Sequence, residues 1–198
     1  MTGPAPGVLL AKTAWEHPPT EAGYRRLVRR RTLAFLSTLV LPALAIALST
    51  RFLDGDDAIG LTVMSFIGGL VTALFLGLAL PGVARTGRIL RCYGWRAYPC
   101  TYVPRSREDL MVISFGPGAD VVMFPAPFRC DLRAKRNDHP AYIWFAGDPR
   151  CGGVVSPVGG HYPQRVLTKE SPPAAAVAPP VAERAGLARR GRYLRRWC

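Results

Sequence analysis

The sequence predicts a membrane α-helical hairpin of two transmembrane helices, joined to a small all-β barrel or sandwich domain. Three observations predict it. Residues 32–50 and 58–84 contain no charged side chain. Arginines crowd the outer flanks of both stretches, and the link between them carries one. From residue 88 to residue 168 the chain changes to short apolar runs separated by Gly and Pro.

The first uncharged stretch has 19 residues and the second 27. A helix rises about 1.5 Å per residue, so they would run roughly 28 Å and roughly 40 Å. A bilayer core is about 30 Å thick, so each can cross it, the longer one with tilt or overhang. Pro42 is expected to kink the first span. Neither span holds an ionisable residue. That argues against a channel, pump or transporter, which usually needs one inside the membrane. The link, residues 51–57, contains Asp54-Gly55, which suits a tight exposed turn.

The chain has 198 residues and a formal net charge of +13. Where the arginines lie decides what that charge is for. Arg25, Arg26, Arg29, Arg30 and Arg31 precede the first span; Arg85, Arg88, Arg91 and Arg96 follow the second. Positive residues beside a span stay cytoplasmic, so both termini are expected inside and residues 51–57 outside. The same arginines are expected to contact the bilayer surface, anionic lipids above all. A rival reading takes Arg30-Arg31-Thr32-Leu33 as an export motif, with Ala45-Ile46-Ala47 as its cleavage site. Signal cores are about 7–15 residues, so the hairpin is preferred. Cleavage after Ala47 would still leave the β domain in the cytoplasm.

Ser65, Gly69, Ala73 and Gly77 follow one another at i+4 steps and form one ridge of the second span. Small residues let helix backbones approach closely. The ridge either packs the hairpin internally, the preferred reading, or joins copies into a homo-oligomer. Ala43 and Ala47 offer a small face on the first span.

Residues 1–19, with four prolines, read as a flexible tail. Residues 20–31 read as a basic juxtamembrane helix, with Thr20 as its cap. Within 88–168, strands are expected at 98–103, 110–115, 121–124, 128–132, 141–146, 154–158 and 165–167. Gly116-Pro117-Gly118 is expected to make a hairpin turn, and residues 147–153 a long one. Short strands at this spacing suit a small barrel or sandwich. Residues 171–198 read as a Pro/Ala-rich linker and a basic tail carrying Arg184, Arg189, Arg190, Arg192, Arg195 and Arg196. That tail is either a membrane-surface helix or disordered.

No catalytic constellation stands out. His17, His139 and His161 lie in Pro- or Gly-flanked loops without metal-ligand spacing. Cys92, Cys100, Cys130, Cys151 and Cys198 are scattered, as expected of reduced thiols, and make no CxxC. Cys151, between Arg150 and Gly152, is the nearest thing to an activated nucleophile, but no base can be placed beside it. Tyr142 and Trp144 with Arg129 and Arg133 resemble a nucleic-acid face; aromatics in an alternating strand more often pack a core, and that reading is preferred. Neither an enzyme, a cofactor nor a nucleic-acid partner is expected.

In the segment Trp144 to Val154, Asp148 can bond its own backbone and Pro149 presets a turn; Arg150, Gly152 and Gly153 complete the motif. Together with Tyr93-Gly94-Trp95 and Tyr98-Pro99-Cys100, it resembles uncharacterised small two-span integral membrane proteins of GC-rich actinobacteria. The resemblance covers about 75 residues. It implies a two-span anchor in the bacterial inner membrane and a compact cytosolic β domain, and no activity. The expectation is a tethered module that binds a cytosolic protein or small ligand. The alternative is a structural protein that self-associates through its hairpin.

Overall fold

A computed structural model describes residues 12–52, 56–103, 109–127, 132, 139, 141–169 and 180–187. Two helices dominate the first half: α1, Pro18–Phe52, and α2, Asp56–Cys92. Proline is tolerated in a first helical turn, where its missing N–H would be unpaired anyway, and α1 opens on Pro18-Pro19. Both helices run past the uncharged stretches. Helix α1 continues through Pro42 and α2 through Pro81, a second in-span proline.

The chain divides into two units. Arg26–Val83 form one; residues up to Arg25 and from Ala84 onward form the other. The division cuts through both helices. The barrel unit is thus discontinuous in sequence, and the helical unit is an insertion within it.

The helical unit turns its bulk outward. Leu41, Met64, Phe66, Leu74, Phe75 and Leu78 are among the large apolar residues it exposes. Both helices are long and apolar enough to cross a membrane, and only 6% of either apolar window is buried. Between them, Ser49 and Thr62 hydroxyls share a hydrogen bond of 3.0 Å.

The other unit holds six antiparallel strands: β1 Arg96–Tyr102, β2 Met111–Ser114, β3 Asp120–Pro125, β4 Tyr142–Asp148, β5 Gly152–Pro157 and β6 Gln164–Thr168. They close in the order β1-β2-β3-β6-β5-β4, so the barrel, not the sandwich, is formed. Each half is a three-stranded meander. The halves join through β1–β4, with Arg96 opposite Phe145, and β3–β6, with Phe124 opposite Leu167.

Period-two alternation sorts the side chains. Cys100, Met111, Ile113, Met123, Ile143, Phe145, Val155 and Val166 fill the interior. Phe115 packs there against Tyr98 and Phe145, with ring centroids 4.7 and 5.0 Å away. Six strands enclose a space that such side chains fill. The alternate residues Ala97, Trp144, Ala146 and Val154 point outward, yet they are buried too.

Several boundaries differ from the sequence expectation. Residues 12–19 are not a free tail: a 3-10 turn at Ala14–Glu16 leads into α1, and Ala14 is buried with its N–H bonded to Tyr93 O at 2.8 Å. The expected long turn over 147–153 shrinks to Pro149-Arg150-Cys151, because Asp148 pairs with Gly152 and Gly147 with Gly153. Part of the 171–198 segment is a short helix, α3, Pro180–Arg184. It closes on Gly186, at φ +72°, with Leu187 N bonded to Ala182 O and Gly186 N to Glu183 O. That is a Schellman cap. Of the strand expected at 128–132, Leu132 is buried outside any strand, and the rest lies outside the described residues. So do Cys130, Cys198 and the tail arginines from Arg189 onward.

Candidate functional site

The outward face of β1, β4 and β5 is the best-built polar and aromatic site among the described residues. Its cover comes from both sequence pieces of the unit: Ala14 and Trp15 before the hairpin, and Ile89, Leu90, Ala185 and Leu187 after it.

Thr20 lies at its centre. It is wholly buried in the first turn of α1, and its hydroxyl accepts from Trp95 Nε1 at 2.9 Å. Thr20 Oγ1 also meets His17 Nδ1 at 3.4 Å. His17 sits edge-on to Trp144, with ring centroids 5.2 Å apart. A Cβ on Gly160 would collide with Thr20 Oγ1, and φ there is +73°. A Cβ on Gly23 would collide with the His161 carbonyl. Glycine at both positions lets α1 lie directly on the β5–β6 loop. Trp15 adds an edge contact to Tyr24 and takes the Arg91 guanidinium over its ring at 4.5 Å. We call this assembly the clasp.

The clasp brings two histidines near each other. Burial, and then the proximity of His161, lower the pKa of His17. In the sequence both stand in Pro- or Gly-flanked loops, and His161 is indeed exposed in the β5–β6 loop. No short-range signal pairs them, because they lie on opposite sides of the hairpin in sequence.

The turn motif forms a second cluster beside it. Arg150 donates its backbone N–H and Nε to Asp148 Oδ1 at 2.9 and 3.1 Å, and its Nη2 to Oδ2 at 3.0 Å. The buried Asp148 carboxylate is thus held by a two-pronged charge-assisted contact. Gly152 and Gly153 belong to β5 and are not turn glycines. A Cβ on Gly152 would stand 2.6 Å from Val166 O, and one on Gly153 2.5 Å from Ala146 O. Trp144 of this motif is buried under the clasp, so it offers no stacking face for a base; Arg129 and Arg133 lie outside the described residues.

Burial raises the pKa of Cys151, Asp148 adds to that, and Arg150 opposes only in part. The arginine expected to lower it is engaged by Asp148. Tyr93 behaves likewise: burial first, then Asp148, Cys151 and Cys92, push its hydroxyl up to about 12. Cys92, Cys100 and Cys151 form no disulfide. Among the described residues no three His, Cys, Asp or Glu side chains gather to hold a metal.

The other sequence-flagged residues are distributed as follows. Ser65, Gly69, Ala73 and Gly77 are each partly buried on a helix whose other side is exposed. Gly69 faces Pro42, whose Cγ would be 2.5 Å from an added Cβ, and Gly77 faces Phe35 at 3.7 Å. At these two glycines the ridge meets α1. Ala43 and Ala47 are exposed. Arg25, Arg26, Arg29, Arg30, Arg88 and Arg91 are exposed, and Arg25 pairs with Glu21 at 2.7 Å. Arg31 and Arg85 are partly buried.

No protein-family model, curated protein or solved structure matches the chain.

Proposed function

We propose that this protein is a membrane-anchored interaction module. Its hairpin holds the barrel at the inner face of a bacterial cell membrane, where the barrel binds a cytosolic protein or small ligand. The observation that carries the reading is the helical unit's surface. Its large apolar side chains face outward along two long helices. In water such a surface is costly, and in a bilayer it is the expected one.

The clasp supports the topology. Thr20 and Trp95 touch, although the whole hairpin lies between them in sequence. Residues 25 and 84 thus belong to one folded unit, so the chain must return to the side it left. An even number of crossings satisfies this, and the arginine flanks favour the cytoplasm as that side. Anchoring would act by concentration: confinement to a surface raises the local concentration of whatever the barrel binds.

The test is cysteine accessibility in intact cells. The native cysteines are replaced by Ser, and one new cysteine is placed at Asp56 or at Lys169. A membrane-impermeant maleimide should label the Asp56→Cys chain and spare Lys169→Cys until the cells are opened. Labelling of Lys169→Cys from outside, or recovery of the chain in the soluble fraction, would overturn the reading.

A further inference from the structure

His17 stands where the chain enters α1, and the clasp closes around its ring. The Thr20 hydroxyl accepts from Trp95 Nε1 at 2.9 Å and meets His17 Nδ1 at 3.4 Å, so its own proton is available to that nitrogen. The same ring lies edge-on to Trp144 of β4, with centroids 5.2 Å apart. A Cβ on Gly160 would lie 3.2 Å from His17 Nδ1, and one on the preceding Gly159 would lie 3.2 Å from His161 Nε2. Both imidazoles therefore flank the same two-glycine stretch of the β5–β6 loop.

The carboxylates nearest in sequence are engaged elsewhere. Glu16 Oε2 accepts from Thr13 N at 3.4 Å, and Glu21 Oε1 accepts from Arg25 at 2.7 Å. Thr20 and Trp144 carry no charge, which leaves His161 as the titratable group acting on the His17 ring. Neutral His17 accepts at Nδ1, and protonated His17 does not. Protonation thus takes an acceptor from Thr20 and sets a charge beside a second imidazole. Burial first, and then His161, hold the folded His17 pKa below the ordinary 6.5. A released segment therefore binds the proton more readily than a docked one. Docking is favoured above about pH 6.5 and loses ground as the pH falls through the lower, folded value.

We propose that the clasp is an acid-operated latch: protonating His17, with His161 beside it, releases residues 12–20 from the barrel and uncovers Trp144. Two long-range hydrogen bonds break together on release, Trp95 Nε1 to Thr20 and Ala14 N to Tyr93 O. The latch does not rest on membrane anchoring. With the barrel in the cytoplasm, as proposed above, the signal it answers is cytoplasmic acidification.

The experiment uses the full chain in detergent micelles. The native cysteines are replaced by Ser, and one cysteine is placed at wholly buried Ala14 or, as a reference, at exposed Lys169. At each pH the maleimide labelling rate of Ala14→Cys is divided by that of Lys169→Cys, which cancels the pH dependence of the thiol itself. The ratio should rise several-fold from about pH 7.5 to about pH 5.5; one proton allows at most about tenfold per pH unit. His17→Asn keeps a residue favoured at helix starts and does not titrate, so its ratio should stay flat. His161→Gln should give a smaller rise than the parent chain. A flat ratio in the parent chain, or an equal rise in His17→Asn, would overturn the latch. A full rise in His161→Gln would overturn the part assigned to His161. Should Ala14→Cys itself open the clasp, seen as a ratio near unity at about pH 7.5, exchange of the Ala14 amide in the chain with native Ala14 reads the same opening against the same histidine variants.

Discussion

Thr20 shows how much one hydroxyl can organise. It is buried and accepts the Trp95 indole proton across 75 residues of sequence. Thr20→Val keeps the shape and removes the acceptor, leaving a buried N–H unpaired. The expected cost is about 1–3 kcal/mol, read as a lower unfolding midpoint by tryptophan fluorescence. His17 makes the clasp sensitive to pH. Its folded pKa lies below the ordinary 6.5, so the unfolded chain binds the proton more readily. The docked state is fully stable above about pH 6.5 and loses stability as the pH falls through the lower, folded value. Hydrogen exchange over residues 13–20, corrected for intrinsic rates, should show protection falling between about pH 7.5 and about pH 5.5. His17→Gln should flatten that dependence, and an unchanged slope would remove His17 as its source. Little of this was legible in the sequence. Thr20 read as a helix cap and His17 as a loop residue because their partners, Trp95 and His161, are remote.

At the scale of elements, the period-two pattern was enough to find a small β domain, but not its closure into a barrel rather than a sandwich. Alternation reflects the pleat, and the turn glycines mark the breaks; the β2–β3 hairpin turns at Gly116-Pro117-Gly118, with Ala119 N bonded to Gly116 O at 3.0 Å. The 147–153 segment misled because its glycines serve close strand approach, and composition alone does not separate that from a turn. The hairpin was half legible. Spacing on α2 picked out the ridge, but not the large α1 residues that face its two glycines. A hollow made by glycine takes bulk from the facing helix, here Pro42 and Phe35. Adjacent glycines test this. Gly69 abuts Pro42, while Gly68 has open space around it. With Ser49 and Thr62 both changed to Cys, oxidation should cross-link the helices, since their hydroxyls lie 3.0 Å apart. Gly69→Leu should reduce that cross-linking several-fold, and Gly68→Leu should leave it intact. Equal loss in both would mean that the ridge does not pack against α1.

The whole molecule is a barrel domain interrupted by an apolar hairpin, which chain order hides. Reading along the sequence isolates 88–168 as the domain, because there the composition changes. The fold instead requires pieces from before and after the hairpin. Ala14, Ala182 and Ala185 are wholly buried, and the first and last of these sit in the outer cluster with Trp144, Ala146 and Val154. A fragment of 88–168 would keep the six strands and uncover that face. Burying a large side chain stabilises by about 1.5–3 kcal/mol, so uncovering several approaches the whole stability of a small domain. The fragment should bind a hydrophobic dye, unfold at low denaturant and aggregate. A chain that joins residues 12–25 to 84–187 through a flexible Gly/Ser linker in place of the hairpin restores the cover. It should be soluble and unfold cooperatively at a clearly higher midpoint. If the short fragment proves as stable as the joined chain, the clasp contributes nothing to folding. Superior stability of the joined chain would show that the hairpin can be removed without loss of the barrel, and it would supply the soluble form in which partners of the barrel can be sought.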